Sequence, residues 1–435
     1  MAMLKSPDIW EDDTLIIATK WHRSLLAAAG INMLLATTAI ATEVTVWCWA
    51  PEFNGAAMNE AISRYTAANP DVKITVVDFA KADMEQKLQT QLASGQTDGL
   101  PDIVLVEDYG AKKYLLSFPG AFEPLTDKID YTKFAPYKVE LATVDGQTYS
   151  LPFDSGVSGL FYRSDLLAEA GYDSAALQDI TWDQLIDIGI AVKAKTGKPL
   201  LSIDQNDAGA LRIMMHSAGT WYFKDDGTVN VKDNPVFKKA LETWVKMLQT
   251  PDLYKAVSGW GDYTGAFNNG DVAGVFTGVW MTGGIKGNNM SGKWAVAPTP
   301  KLDIEGSTHY SNLGGSSWYV LSSAPAKEAA IDFLSTVWGS DVDFYQKILV
   351  GQGAFTSYLP ARDGEAYSAK DDYFGGQAVW ADFSTWQASI PGVNYGIYTN
   401  EADVAVTTQL PGLVAGGSID EAILAIDAQI EQQIQ

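Results

Sequence analysis

The chain has 435 residues, of which 47% are hydrophobic and 19% charged, the composition of an ordinary globular protein with a sizeable core. This length exceeds that of one typical domain and predicts two domains, or two lobes that share the chain. The formal net charge is −23 and no basic run occurs, which argues against nucleic acid and anionic membrane surfaces as partners.

The N-terminal region has the pattern of an export signal. Residues 20–41 carry a basic start, a short apolar run and then Ala39-Ile40-Ala41, which is typical of a signal-peptidase site. The apolar run is too short for a membrane anchor. We therefore expect cleavage and a mature chain that begins at Thr42 or Glu43 in the periplasm. Residues 1–19 precede the signal and have no assigned role.

Strand and helix patterns alternate along the first part of the mature chain. The predicted strands are residues 43–49, 73–79 and 103–106, and helical spacing covers residues 54–68 and a segment that ends at Gly95. The third strand is continuously apolar, as in a parallel strand covered on both faces. This alternation predicts an α/β fold with mostly parallel sheets. Cys48 is the only cysteine in the chain, so no intrachain disulfide can form.

The middle of the chain contains turn and capping signals. Asp145-Gly146 predicts a hairpin turn, and the glycine-rich residues 155–159 (SGVSG) suit a crossover between lobes. Thr181 with Gln184 forms a capping box at the start of one predicted helix, and Ser418 with Glu421 does the same for the last helix.

The stretch from Ala266 to Trp280 (AFNNGDVAGVFTGVW) predicts an element that delivers a side chain to a surface. A short helix stops at Gly270, residues 272–276 form a buried strand, and Gly278 precedes Trp280. In open α/β sheets, the carboxyl ends of strands line the crevice where ligands bind. Trp280 is equally well interpreted as a core residue, because indole rings are mostly buried.

The order of motifs resembles a known family. The segments PDIVLVED, LPFDSGVSGLFYRSDLL, ITWDQL, FNNGDVAGVFTGVW, NLGGSSWYVLSS and SIDEAI follow one another as in extracellular solute-binding proteins of ABC importers. The chain is most similar to family 1, the carbohydrate binders that include maltose-binding protein, over residues 43–435. The resemblance implies two α/β lobes joined by hinge strands, a sugar in the cleft, and closure on binding.

The same resemblance implies a set of site residues. Trp280 is the tryptophan that would stack on sugar, and the acidic positions map near Glu52, to Glu107 or Asp108, and near Asp154. The remaining positions map to Asp204, Asn206 or Asp207 and to the late aromatic residues Tyr395 and Tyr398, while Trp49 and Trp221 are candidates either for the cleft or for the core. Aromatic faces suit the C–H face of a sugar, and carboxylates suit its hydroxyls. Each acidic residue could also be a helix cap or a solvated loop charge.

Lobe boundaries and partners follow from this resemblance. We expect lobe 1 to comprise residues 43–154 and 309–360, and lobe 2 residues 155–308 and 361–435. The expected partners are a small carbohydrate and an inner-membrane ABC permease with its ATPase, and we expect a monomer without a cofactor or metal.

Enzymatic function is the alternative class. Two carboxylates across an aromatic cleft also describe a secreted glycosidase, although no Cys–His pair, HExxH motif or nucleophile elbow occurs. Cleavage of oligosaccharides by the pure protein would distinguish the two classes. The sequence does not identify the sugar or its length.

Overall fold

The computed structural model describes residues 41–287 and 289–434. Residues 1–40 lie outside the described residues, and with them the N-terminal extension and nearly all of the predicted signal peptide. Export by a cleaved signal therefore stays a prediction.

Eleven strands are present in the described residues. They are β1 Thr42–Trp49, β2 Val72–Phe79, β3 Ile103–Glu107, β4 Thr143–Val144, β5 Gln147–Thr148, β6 Ser150–Arg163, β7 Leu201–Ile203, β8 Tyr254–Ala256, β9 Gly274–Gly278, β10 Trp294–Ala297 and β11 Asn312–Val320. Seven of them form one sheet in the order β10-β6-β11-β3-β1-β2, with β9 also paired to β6. The sheet is mixed: β1 pairs in parallel with β2 and β3, whereas β11 runs antiparallel to β3 and β6.

Sixteen α-helices in the described part of the chain surround these strands. They are α1 Ala56–Ala68, α2 Lys81–Ser94, α3 Ala111–Ser117, α4 Pro136–Leu141, α5 Ser164–Glu169, α6 Trp182–Thr196, α7 Gly209–Ser217, α8 Pro235–Gln249, α9 Gly259–Asn268, α10 Thr282–Ile285, α11 Lys327–Phe333, α12 Val342–Gln352, α13 Glu365–Ser368, α14 Val379–Gln387, α15 Thr399–Val414 and α16 Ile419–Gln433. The α/β class predicted from the sequence is confirmed.

Strand β6 connects two parts of the sheet. Its first half pairs with β11, up to Val157 opposite Asn312, and its second half pairs with β9 and β10, beginning at Ser158 opposite Gly278. One continuous strand thus belongs to a β1–β2–β3–β11 part and to a β9–β10 part. The change of partner falls within the glycine-rich segment that suggested a crossover, while the exact lobe boundaries stay a prediction.

Two glycine positions allow the backbone to approach closely where β6 meets β11. A Cβ on Gly156 would lie 2.2 Å from the carbonyl oxygen of Leu313, so only glycine fits at this contact. Gly315 has a φ of +94°, in the left-handed region that favours glycine, and a Cβ there would meet the carboxylate of Asp108 at 2.6 Å. The strand pair therefore depends on these glycines for its geometry.

Local signals account for the ends of several elements. Thr181 and Gln184 form the predicted reciprocal capping box of α6, and the Ser418 side chain accepts from the backbone N–H of Glu421 at the start of α16. Asp145 and Gly146 both have positive φ and connect β4 to β5, as expected for a tight hairpin.

The core contains most of the large aromatic side chains and Cys48. The thiol of Cys48 is buried in β1, and burial, aided by the charge of Asp78, raises its pKa to about 12. Among the helices of the described residues, none is long and apolar enough to cross a membrane.

Candidate functional site

A cavity of about 380 Å³ lies where the carboxyl end of β3 faces α7, α9 and the end of β9. We call it the interlobe cavity. Its aromatic lining consists of Tyr109, Tyr263, Trp260, Phe276 and Trp280, and its charged lining consists of Glu107, Asp204, Asp207 and Arg212. Leu313 and Gly314, at the start of β11, complete the side nearest the strand crossing. The cavity thus combines flat apolar faces with directional hydrogen-bonding groups.

Trp280 lies in the cavity because of the glycine two positions before it. A Cβ on Gly278 would lie 2.1 Å from the indole Nε1 of Trp280, so the absence of a side chain lets the ring fold back over the strand end. The Nε1–H donates to the carbonyl oxygen of Leu313 at 2.9 Å. The ring is half-buried and held in one orientation while part of its surface lines the cavity. Trp280 therefore lines the cavity just after the end of β9, and its predicted contact with a ligand stays a prediction.

Trp260 and Tyr263 continue the aromatic surface on α9. The ring centroids of Trp260 and Trp280 are 5.9 Å apart at an interplanar angle of 33°, and those of Trp260 and Tyr263 are 6.0 Å apart at 34°. The hydroxyl of Tyr263 donates to the carbonyl oxygen of Phe276 at 2.8 Å, which fixes α9 against β9. The three rings therefore contact one another in sequence and form one contiguous aromatic surface of the cavity lining.

Two carboxylates lie beside these rings. Asp204 accepts from the backbone N–H of Gly259 at 2.7 Å and from that of Asn206 at 2.9 Å. Burial opposes ionisation, but these hydrogen bonds hold the pKa of Asp204 below its usual range. Asp207 accepts from the N–H of Gly209 at 2.8 Å. Both carboxylates line the cavity.

Arg212 and Tyr109 form the inner end of the cavity. The guanidinium of Arg212 lies 4.5 Å from the ring centroid of Tyr109 and forms an ion pair with Asp403, whose carboxylate also accepts from Tyr222 at 2.8 Å. Burial raises the pKa of Tyr109 to about 12, so its phenol stays protonated at neutral pH. These contacts join α7 and α15 to the segment that follows β3.

The outer rim contains Glu107, Lys81 and Trp49. Lys81 forms an ion pair with Glu107 and lies 5.8 Å from the ring centroid of Trp49. Trp49 is half-buried at the end of β1 and does not line the cavity. Its predicted direct contact with ligand is therefore not evident in the geometry.

Trp221 and Tyr395 lie behind the cavity wall rather than in it. Trp221 is buried, donates to Thr399 at 2.9 Å and stacks on Tyr109 with centroids 5.8 Å apart. Tyr395 is also buried, its ring 4.8 Å from that of Tyr109, and it accepts from Asn312 at 3.2 Å. Both support Tyr109 from below, so packing accounts for them.

Asp108 and Asp154 are placed beneath the cavity, in contrast to the sequence prediction. Asp108 is buried and paired with Lys138, which also donates to the carbonyl oxygen of Ser316 at 3.0 Å. Asp154 accepts from the Ser316 N–H at 2.7 Å and from its hydroxyl. Burial, only partly offset by Lys138, raises the pKa of Asp108 to about 7 and raises that of Asp154 as well. We call Asp108, Lys138, Asp154 and Ser316 the buried polar cluster.

The other two predicted residues do not line the cavity. Glu52 is exposed in the turn that follows β1, and Tyr398 is partly buried at the N-cap of α15. Neither Glu52 nor Tyr398 is among the residues that line the cavity beside its aromatic rings.

The sequence prediction missed Trp260, Tyr263, Tyr109 and Arg212. Trp260 had a signal, because a tryptophan between Gly259 and Gly261 does not fit the apolar stripe of a core helix. Arg212 stands alone among the apolar residues of α7, which is also unusual. Tyr109 had no signal, since it directly follows the two carboxylates that drew attention.

No group of three or more His, Cys, Asp or Glu side chains within residues 41–287 and 289–434 could hold a metal ion.

Residues 60–372 match the family model of bacterial extracellular solute-binding proteins. The chain belongs to this family. A relative from Rhizobium radiobacter, a lactose-binding protein, is 55% identical over 413 residues, which cover 95% of this chain and 97% of the relative. Members of this family are extracellular solute-binding proteins. Because the family and the relative are binding proteins, this protein is a solute-binding protein and not an enzyme, and the glycosidase alternative is not supported.

Solved structures show the same fold. The ABC transporter associated binding protein from B. animalis subsp. lactis Bl-04, in complex with beta-1,6-galactobiose, is similar with a TM-score of 0.73 at 24% identity and covers 90% of this chain and 98% of its own. The sugar-binding protein MalE from Xanthomonas citri gives a TM-score of 0.75 at 21% identity, with 90% and 97% covered. The two-lobed fold predicted for this solute-binding protein is thereby confirmed.

Proposed function

We propose that this protein binds a neutral sugar in the interlobe cavity and delivers it to the membrane permease of an ABC importer. The observation that carries the proposal is the lining of the cavity, in which the Trp280 and Trp260 rings lie beside the carboxylates of Asp204 and Asp207. Indole faces pack against the C–H face of a sugar ring, and carboxylates accept from its hydroxyls.

Lactose is the first candidate ligand. The lactose-binding relative is similar over nearly the whole of both chains, at 55% identity. Two further relatives, at 27% and 24% identity, are arabinooligosaccharide-binding proteins. A disaccharide or short oligosaccharide is therefore favoured over a phosphorylated ligand, and the three carboxylates of the cavity lining would also repel a phosphate group.

The hinge in this proposal is the contact of β6 with β11 around Gly156 and Leu313. Residues 43–154 and 309–360 would move as one lobe, and residues 155–308 and 361–435 as the other. Tyr109 contacts Arg212 and Trp221 across the proposed boundary, and Lys113 of α3 pairs with Glu401 of α15 at 2.8 Å. Such contacts are available to stabilise a closed form around bound sugar.

The proposal includes an export signal, a periplasmic location and a monomeric mature chain. Residues 20–41 would be removed, and the mature protein would meet an inner-membrane permease with its ATPase. N-terminal sequencing of the exported protein should return Thr42 or Glu43. Recovery of Met1 on that protein would contradict a cleaved signal.

Thermal unfolding of the mature chain with added sugars tests the ligand. Lactose, beta-1,6-galactobiose, arabinobiose, maltose and glycerol 3-phosphate form a suitable panel. A ligand at 100 times its dissociation constant stabilises the folded state by about 2.7 kcal/mol, so the bound sugar should raise the unfolding temperature clearly. Stabilisation by glycerol 3-phosphate alone, with none by any of the four sugars, would contradict the proposal.

A further inference from the structure

The lining of the interlobe cavity has more negative than positive charge. Its charged side chains are one guanidinium and three carboxylates, those of Arg212, Glu107, Asp204 and Asp207. The ion-pair partners of the lining do not change this balance, because Lys81 adds one positive charge beside Glu107 and Asp403 adds one negative charge beside Arg212. Four carboxylates against two cationic groups leave a formal charge of −2 at this site.

The two charges without a cationic partner belong to Asp204 and Asp207. Neither aspartate forms an ion pair in the described part of the chain. Asp204 accepts instead from the backbone N–H groups of Gly259 at 2.7 Å and Asn206 at 2.9 Å, and Asp207 accepts from that of Gly209 at 2.8 Å. Burial opposes the ionisation of Asp204, but the hydrogen bonds outweigh it and lower the pKa of this carboxyl. Neutral donors therefore hold the charge in place without cancelling it.

An aromatic face lies directly beside one of these carboxylates. Gly259, which donates to Asp204, is followed in the chain by Trp260, whose side chain is 61% exposed and lines the cavity. The face of an indole ring carries partial negative charge and attracts a cation placed over it. The cavity already contains one such contact, since the guanidinium of Arg212 lies 4.5 Å from the ring centroid of Tyr109. Carboxylate and aromatic face together favour a positively charged group over a neutral one.

We propose that the interlobe cavity binds sugars that carry a protonated amine and that it binds them more tightly than their neutral counterparts. The ammonium group donates to Asp204 or Asp207, which have no cation of their own, and lies near the open face of Trp260. The net charge of −23 on the whole chain adds a long-range field of the same sign. This inference rests on the proposed sugar-binding function and adds a ligand class to it, the amino sugars.

Isothermal titration with lactose and its aminodeoxy derivatives tests the inference. Derivatives with one amine in place of the hydroxyl on the second or sixth carbon of the glucose unit, or on the sixth carbon of the galactose unit, keep the disaccharide and change its charge. At low ionic strength, and at a pH where the amine is protonated, at least one derivative should bind about three- to tenfold more tightly than lactose. Its N-acetyl form is neutral and should lose this advantage, and added salt should reduce it.

Charge-removing variants locate the effect. Asp207→Asn keeps an oxygen that can accept from Gly209 but loses the charge, so the ratio of amine affinity to lactose affinity should fall by about twofold or more. Asp204→Asn should act in the same direction. The matched control is Asp303→Asn, which makes the same change of charge at an exposed position outside the cavity lining and should leave the ratio unchanged.

Three results would overturn the inference and leave sugar binding intact. They are the absence of any amine that binds more tightly than lactose, an N-acetyl form that binds as tightly as its amine, and a ratio that neither Asp207→Asn nor Asp204→Asn lowers. Failure of lactose and of every derivative to bind the wild type would overturn the proposed function together with the inference.

Discussion

The wall of the interlobe cavity and the buried polar cluster beneath it use similar residues in opposite ways. In the wall, Asp204 accepts from backbone N–H groups and still lines the cavity, and Trp260 is largely exposed. In the cluster, Asp108 and Asp154 are buried against Lys138 and Ser316. An aspartate that lies in a strand or directly after one can therefore either line the cavity or hold the strand crossing together. The residues that pack against each aspartate determine which of the two roles it has.

The largest expected effect is a loss of stability that distinguishes Trp221, which is buried behind the cavity, from Trp260, which lines it. Trp221→Ala removes a fully buried ring that stacks on Tyr109 and donates to Thr399. Its free energy of unfolding should fall by about 3–5 kcal/mol. Urea denaturation should show a much smaller loss for Trp260→Ala, because that ring is already exposed. Equal losses in the two variants would contradict the division between wall and support.

Trp280→Ala should affect binding more than folding. The affinity for the bound sugar should fall by about 1–3 kcal/mol, as for an aromatic hot spot. Loss of the hydrogen bond to Leu313 should cost about 1 kcal/mol of stability. Titration calorimetry and thermal unfolding without ligand measure the two effects separately. A collapse of the unfolding temperature with unchanged affinity in the remaining folded protein would place Trp280 in the core.

Two buried groups should give opposite slopes of stability against pH. Burial raises the pKa of Asp108 to about 7, and the charged groups near it are Lys138, Asp154 and Glu107. In the unfolded state the pKa of this carboxyl is about 3.9, so the folded state binds the proton more tightly. The stabilisation of the folded state by protonated Asp108 is therefore lost as the pH rises from about 3.9 to about 7. Burial lowers the pKa of His216 to about 4, below its unfolded value of about 6.5, so its contribution grows over nearly the same range.

Asp108→Asn and His216→Gln separate these slopes. The quantity to compare is the free energy of unfolding at pH 6.5 minus that at pH 4.5. This difference should be more positive than in the wild type for Asp108→Asn and more negative than in the wild type for His216→Gln. Each change is limited to about 1.4 kcal/mol per pH unit. Urea titrations at the two pH values provide the measurement. A shift of the same sign in both variants would show that these groups are not the source.

The smallest effect concerns the ion pair between Lys113 and Glu401. Both side chains are roughly one-third exposed, so their coupling should be about 0.2–1 kcal/mol. A double-mutant cycle with Lys113→Ala and Glu401→Ala, read as sugar affinity, measures it. A closure contact predicts that the coupling weakens at high salt, and a coupling independent of salt would argue against that role.

The sequence was sufficient for features that depend on local signals. The capping box at Thr181, the hairpin at Asp145 and the delivery of Trp280 after Gly278 all arise from residues within a few positions of one another. The order of the sequence motifs, which resembles that of the solute-binding family, predicted the two-lobed fold. Trp260 could have been found in the same way from its flanking glycines.

Long-range partners explain what the sequence could not predict. Lys138 lies 30 residues from Asp108, and Ser316 lies 162 residues from Asp154. Nothing near either aspartate in the chain indicates that a lysine or a serine will bury it. The antiparallel return of β11 beside β6 creates the contact between Asp154 and Ser316. The packing of α4 places Lys138 against Asp108, and neither arrangement is visible in the local sequence pattern.

The chemistry of Cys48 makes the protein suitable for labelling at a single introduced thiol. Thiol labelling requires the thiolate, and a buried thiol with a pKa of about 12 supplies almost none at neutral pH. A cysteine introduced at the exposed position of Glu52 would then be the only reactive thiol of the mature chain. A fluorophore attached there would need no removal of Cys48.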